Sequence, residues 1–277
     1  IAPSGPLVAT TRARARSDLH LELHQPARLE ELRPRILPCR VIAKRMLSHD
    51  VIGLTVRLPK GEIFRYLPGQ YVDFLLDDGR RRSFSIANAP STSLPQELEL
   101  HLRVTPQGRF AHWVQHQMPD QAILRFEGPL GAFYLREDSE RPILLMAGGT
   151  GFAPLKAMIE HWITLELARP VHLFWGAREE PDLYLGALAH QWVQAQSHFR
   201  YTPVLSEPGA AWRGERGFVH DALLRHYPDL SAQEVYMSGP PVMVRAGKKA
   251  FSAAGLDADH VYYDSFDYAF ETWPKLG

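Results

Sequence analysis

Four short clusters in this 277-residue chain hold residue types that grip phosphate or a planar ring. Gly148-Gly149-Thr150-Gly151-Phe152-Ala153-Pro154 stands between a strand-like run and a helical run. There, glycines let the backbone approach a pyrophosphate, and the helix amino end offers free N–H groups and the positive end of a dipole. Its spacing is G-x-G-x-x-P, not the dinucleotide G-x-G-x-x-G, and Pro154 suits a first helical turn. An ordinary tight strand–helix turn would use the same glycines. Arg82-Ser83-Phe84-Ser85 ends a predicted strand. Arginine can hold phosphate bidentately, Phe84 lies on the same side of the strand and could stack on a ring, and the Ser85 hydroxyl at the strand end can turn toward a ligand edge. A plain strand with an exposed arginine and a core phenylalanine is the alternative. Gln107-Gly108-Arg109-Phe110 precedes a helix and forms a second possible phosphate cradle, or a simple helix start. Ser238-Gly239-Pro240-Pro241 joins the end of a strand to a helix, where open α/β sheets bind ligands; alone it is a rigid turn.

The elements that must position these residues fall into two rhythms. From Cys39 to about Glu137, apolar-rich runs of strand length recur (CRVIAKRML, VIGLTVRL, QYVDFLL, RRSFSIA, ELELHLRV, AILRFEG), separated by LPGQ, DDGR and TPQG turns and interrupted by the helix-like RFAHWVQHQM. This pattern predicts a six-stranded antiparallel barrel with one short helix. From Arg141 onward strand-like runs alternate with helical ones, predicting a parallel sheet with helices on both faces and a nucleotide crevice at the strand carboxyl ends. The fold class is β plus α/β, with a tail or linker at 1–36, the barrel at 37–138 and the α/β domain at 139–277. Gln25 to Pro38 reads as a proline-bounded connector with one helical turn.

Composition narrows the function. Lys plus Arg and Asp plus Glu both number 31, so the formal charge is zero. That argues against a general nucleic-acid binder. No apolar run reaches the roughly 18 residues that span a bilayer. The single Cys39 excludes an intrachain disulfide, a multi-cysteine zinc site and a four-cysteine iron–sulfur cluster within the chain. With no signal-peptide pattern, a cytoplasmic protein or a fragment of one is expected.

Taken together and in this order, the four clusters resemble the ferredoxin–NADP reductase superfamily. Arg82, Phe84 and Ser85 match its Arg-x-Tyr/Phe-Ser flavin motif, and Gly148 to Pro154 match its Gly-Gly-Thr-Gly-x-x-Pro loop. Gly128-Pro129-Leu130-Gly131 matches its Gly-Pro-x-Gly junction, and Ser238 to Pro241 match Cys-Gly-Pro-Pro with serine at the cysteine place. RRRSFSIANAP, Gly176 to Tyr184 and Val204 to Pro208 look like the branch of bacterial NADH-dependent reductases that serve deoxysugar dehydrases and aromatic oxygenases. Many of that branch carry a ferredoxin domain before the barrel. Ser17 to Leu23 looks like the tail of one, with Thr11 about where its last cluster cysteine would fall.

The resemblance implies FAD, with Arg82 on its phosphates, Phe84 against its ring and Ser85 near flavin N5. It implies Gly108, Arg109 and Phe110 around the pyrophosphate, and the nicotinamide dinucleotide over Gly149, Thr150 and Gly151. Ser83, His101, Arg103, Arg178, Gly148, Pro154, Gly239, Pro240 and Pro241 join the expected cofactor-binding set. Ser85, Ser238 and Phe266 are the expected catalytic residues. Serine at position 238 implies slower hydride transfer than cysteine. Phe266 either covers the flavin face or is a core aromatic of the last strand. Glu207, after Ser206, stands where NADPH-using relatives place an arginine, so NADH is preferred over NADPH, although Arg213 and Arg216 lie nearby. The expected partner is a separate electron acceptor, a ferredoxin- or oxygenase-like protein or a small molecule. The alternatives are a free-flavin or quinone reductase, or a non-catalytic electron-transfer subunit. No metal site is expected: His112 and His116 lack a carboxylate, and Asp257, Asp259, Asp264 and Asp267 read as a solvated rim. His20, His24 and the Arg12, Arg14, Arg16 run read as surface.

Overall fold

The computed structural model describes residues 32–91, 96–106 and 108–266. Expectations for Thr11, Arg12, Arg14, Arg16, Ser17–Leu23, His20, His24, Gln107 and Asp267 lie outside these residues. Strands β1 (Arg35–Met46), β2 (Val51–Arg57), β3 (Tyr71–Leu75), β4 (Arg81–Ser85), β5 (Glu97–Arg103) and β6 (Ile123–Leu130) form one antiparallel sheet in the order β4-β3-β6-β1-β2-β5. An Ile86–Leu100 bridge and the Ala87 N–H bonded to the Glu99 carbonyl join its two edges into a barrel. Alternation explains what each face does. Leu98, Leu100 and Leu102 of β5 fill the barrel core. Glu99, His101 and Arg103 therefore point outward, toward the second domain. Helix α1 (Arg109–His116) contributes Phe110, Ala111 and Val114 to the barrel side.

One expectation is corrected. Arg35–Pro38, expected in a connector with a helical turn, is strand, with Arg35–Arg40 paired to Ile123–Gly128. Pro38 is tolerated because pairing with β2 begins only at Arg40, so its missing N–H faces an edge. Cys39 is buried there, and burial pushes its thiol up to about 12, which leaves it inert.

The second sheet is parallel and ordered β10-β9-β8-β7-β11-β12. Its strands are β7 (Ile143–Gly148), β8 (Val171–Ala177), β9 (Phe199–Leu205), β10 (Glu215–Arg216), β11 (Glu234–Gly239) and β12 (Val261–Ser265). β10, two residues long, carries no sequence signal. Helices α2 (Phe152–Thr164) and α3 (Gly186–Ala195) cover one face, while α4 (Val219–His226) and α5 (Pro241–Ala253) cover the other. Chain order reverses between β7 and β11, and this switch point places the Gly148 and Ser238 loops side by side. Every residue of α2 from Phe152 to Ile159 is buried, because the helix is enclosed by its own sheet and by the barrel. The segment between the domains is anchored by buried Arg169, which donates to the Arg136 and Arg141 carbonyls at 2.6 and 2.8 Å and to Glu234 at 2.8 Å. Among the described residues no helix is long and apolar enough to cross a membrane.

Candidate active site

Three polar side chains meet in the seam between barrel and sheet. Ser85, at the end of β4, donates its hydroxyl to Asp264 Oδ2 at 3.5 Å. Asp264 lies on β12 directly opposite Ser238 on β11. Ser238 is fully buried, and its hydroxyl has no hydrogen-bond partner among the described residues. Burial raises the Asp264 carboxyl to about 6, with the Ser85 hydrogen bond acting the other way. Asp264 is therefore not part of a solvated rim, and the sequence reading missed it. Asp257 and Asp259, grouped with it in the sequence, are exposed; only pairing of β12 with β11 reveals its place. Phe266 follows two residues on, with its N–H bonded to the Gly239 carbonyl at 3.0 Å. Phe266 is half-buried and, among the described residues, is not grouped with the three apolar cores.

The glycines of the two facing loops owe their identity to each other more than to a ligand. A Cβ on Gly151 would stand 2.0 Å from the Ser238 carbonyl oxygen, and one on Gly148 would stand 2.5 Å from Met243 Sδ. Gly239, at φ +145°, would meet Gly148 backbone at 2.9 Å. Gly149 differs. At φ +53°, the nearest atom to its missing Cβ is the Arg103 guanidinium at 3.4 Å. Arg103 Nε lies 3.5 Å from Asp50 and makes no hydrogen bond. Thr150 is buried beside it, Pro154 sits in the first turn of α2, and Pro240 and Pro241 start α5.

On the barrel, Phe84 is half-buried against Phe74 and Phe110, with ring centroids 6.0 and 5.6 Å away. Arg82 lies on the same side of β4 and donates to the Arg81 carbonyl at 2.8 Å. Three cofactor expectations change here. Ser83 points the other way and donates to Asp73 at 2.6 Å, beside the Arg81–Glu127 and Arg81–Asp73 ion pairs. The Phe110 ring is core, so only its backbone N–H is available to an anion. Gly108, which caps α1 without a side-chain bond, leaves the first-turn N–H groups of α1 without a capping side chain. Gly108 is glycine because a Cβ would meet Thr105 Oγ1 at 2.9 Å. His101 is also redirected: both ring nitrogens are used within the protein, by Glu99 at 2.9 Å and Tyr184 at 3.0 Å.

At the carboxyl ends of β8 and β9, Arg178, Ser206 and Glu207 are exposed and form a ledge, with the Glu207 N–H bonded to the Arg178 carbonyl. Arg213 and Arg216 donate to the Ala210 and Trp212 carbonyls of their own loop. Phe218, 65% exposed just before α4, stacks on His220 at 5.7 Å. An aromatic just before a helix start was the only signal that could have singled it out. His112 bonds the Thr105 carbonyl and stacks on His116. Elsewhere, His49, Asp50 and Asp182 bring ligand atoms within 4.8 Å, but His49 is 67% exposed and the aspartates are bonded to Ser48 and to the Glu179 N–H.

The open Gly149 backbone, the unbonded Arg103 Nε, the uncapped α1 and the orphaned Ser238 hydroxyl fit a flavin dinucleotide and a nicotinamide dinucleotide meeting in the seam. The known proteins agree. An oxidoreductase FAD-binding domain matches residues 38–134, and an oxidoreductase NAD-binding domain matches residues 145–249. The chain is 37% identical to Protein RfbI of Salmonella typhimurium, over 95% of this chain and 78% of that one. It is 36% identical to the CDP-6-deoxy-L-threo-D-glycero-4-hexulose-3-dehydrase reductase of Yersinia pestis, over 94% and 77%. The Amycolatopsis cytochrome P450 reductase GcoB superposes with a TM-score of 0.78 at 30% identity, over 85% of this chain and 71% of that one. This chain belongs to the FAD- and NAD-binding oxidoreductases of the ferredoxin-reductase type.

Proposed function

We propose that the protein is a cytoplasmic NADH-dependent reductase that retains FAD and passes electrons to a separate protein acceptor. The observation that carries this reading is the convergence of Ser85, Asp264 and Ser238 between the Arg82–Ser85 strand and the Gly148–Gly151 loop. FAD, when bound, supplies a ring that takes up hydride and releases electrons singly or in pairs. The chain needs no nucleophile; it must hold donor and acceptor about 3–3.5 Å apart and keep water out. Residues 37–138 hold the flavin and 139–277 the nicotinamide dinucleotide. Arg82 and the first-turn N–H groups of α1 take the flavin phosphates, and Phe84 borders its ring. Ser85 and Asp264, bonded to each other, would border the part of the flavin that takes up hydride. Gly149, Thr150 and Arg103 receive the dinucleotide phosphates, and Phe218 offers an exposed ring to its base.

Relatives named as reductases of a dehydrase and of terephthalate 1,2-dioxygenase support a protein acceptor of iron–sulfur or oxygenase type. The exposed Glu207 supports NADH, because a carboxylate accepts a ribose hydroxyl and repels a phosphate. FAD is expected to co-elute with the protein through gel filtration at one per chain, and kcat/KM is expected to be higher with NADH than with NADPH. Flavin lost on the column would favour the free-flavin reductase. A higher kcat/KM with NADPH would overturn the role of Glu207.

Ser238→Cys gives a separate expectation. A thiol loses less than a hydroxyl by lacking a hydrogen-bond partner, so the variant should gain about 1 kcal/mol of stability. Reduction by NADH, followed by stopped flow, should be faster than in the parent, because the larger, more polarizable sulfur borders the reacting ring.

A further inference from the structure

A chain of contacts, polar from Lys156 to Tyr184 and aromatic from Tyr184 to Trp175, runs from the Arg82–Ser85 strand to the Gly148–Gly151 loop through both domains. Lys156, on the second turn of α2, is only 6% exposed. Its ammonium donates to the Ala87 carbonyl, two residues past Ser85, at 3.0 Å and to Glu99 of β5 at 2.9 Å, and it pairs with Glu160 at 2.7 Å. Glu160 in turn accepts the Ala89 N–H at 3.2 Å. The other oxygen of Glu99 accepts from His101 Nε2 at 2.9 Å, which leaves Nδ1 to accept the Tyr184 hydroxyl at 3.0 Å. Glu99 can only accept, so Nε2 carries the proton, and burial favours the neutral ring, with Glu99 acting the other way. Burial also works against the Glu99 charge, but His101 and Lys156 hold that carboxyl at about 2. The Tyr184 ring meets Trp175 edge-on at 5.1 Å, and Trp175 stacks on Phe152 at 3.8 Å. Trp175 Nε1 donates to the Gly149 carbonyl at 3.0 Å.

Resting on the reading above, we propose that Lys156, Glu99, His101 and Tyr184 are positioning residues. They fix the Ser85 end of the flavin strand against the glycine loop and so set the distance over which hydride passes. Burying a lysine and a glutamate is costly, and apolar residues would pack the same seam at lower cost. What the charges add is direction: Lys156 has three oxygen partners, two on the barrel and one on its own helix. A displacement of about 1 Å at the reacting atoms costs about 100-fold in rate.

The test compares Lys156→Met, the double variant Lys156→Met/Glu99→Gln and Tyr184→Phe with the parent holoprotein. Stopped-flow reduction by NADH, KM, Tm and amide-hydrogen exchange are measured on each. Lys156→Met should retain FAD and slow reduction by about 10–100-fold with little change in KM. Exchange should rise both at Ala87–Ala89 and at Gly149–Phe152. The double variant leaves only the part-exposed Glu160 without its lysine, so it should recover most of the lost Tm while remaining slow. Tyr184→Phe leaves the buried His101 Nδ1 without a donor, so it should lower Tm by a few degrees and slow reduction at temperatures where it is fully folded. A Lys156→Met rate within about threefold of the parent would overturn the proposal, as would a double variant that regains both Tm and rate. Where the double variant regains neither, Tyr184→Phe decides: slower reduction supports the proposal and the parent rate overturns it. A parent not reduced by NADH would instead sink the flavin reading, and the exchange data would still report on the network.

Discussion

Gly151→Ala is expected to abolish reduction by NADH and to lower Tm by the largest margin of any glycine-to-alanine change among the described residues. The cause is contact, not backbone conformation. Gly151 sits at φ −58°, which any residue adopts, but a Cβ would lie 2.0 Å from the Ser238 carbonyl oxygen and 2.7 Å from the Gly239 nitrogen. Both are backbone atoms, so no rotamer change relieves the clash. The two loops must part, at a cost of about 3 kcal/mol or more. Parting them also separates Ser238 from the Gly148–Gly151 loop, so activity falls with stability. Gly209→Ala is the control: nothing lies within 4 Å of its Cβ position, and its Tm should hold or rise slightly. Circular-dichroism melts of the two variants check this. A Gly151→Ala protein with parental Tm and rate would show that the loops are not in contact.

Asp264→Asn should stabilise the protein at pH 8 and slow it. The Asp264 carboxyl, raised from 3.8 to about 6 by burial, binds its proton more tightly in the folded state than in the unfolded state. Its contribution to stability is complete below about pH 4 and is lost as pH rises through about 6. Above that, the buried carboxylate costs the fold about 2–3 kcal/mol, which the neutral amide does not. The Tm advantage of the variant should therefore be several degrees at pH 8 and vanish near pH 4. Reduction by NADH should fall about tenfold or more, because the carboxylate beside the Ser85 hydroxyl is gone. The parent rate should carry an ionisation near pH 6 that the variant lacks. A variant that matches the parent in Tm at every pH would show that the carboxyl is solvated. A variant that reacts at the parent rate would remove Asp264 from the site. The expected opposition of stability and rate is what a strained functional group produces.

The strands were legible because alternation and turn residues are local signals. Glu97 to Leu102 alternate polar and apolar, and Leu98, Leu100 and Leu102 indeed enter the core. The glycine loop, the Ser238 loop and the Ser85 strand were legible as types at strand ends. What local signals could not show was partnership. Gly151 reads as a phosphate glycine, yet its own need for glycine comes from Ser238, 87 positions away in the chain. Asp264 reads as one of several acidic residues until β12 is laid beside β11. His101 reads as a cofactor ligand until α2 and the turn after β8 bring Lys156 and Tyr184 against β5. Pro38 reads as a breaker because nothing in the sequence tells which side of β1 is an edge. Each miss concerns a contact between the domains or between strands distant in sequence, where burial rather than residue type decides the role.

The central claim is that the seam holds a flavin reducible by a nicotinamide dinucleotide. The visible absorption spectrum of the purified protein, taken before and after anaerobic NADH, tests it most directly. The account predicts flavin bands that bleach on addition of NADH. A colourless protein that remains colourless with added FAD and unchanged with NADH would contradict it.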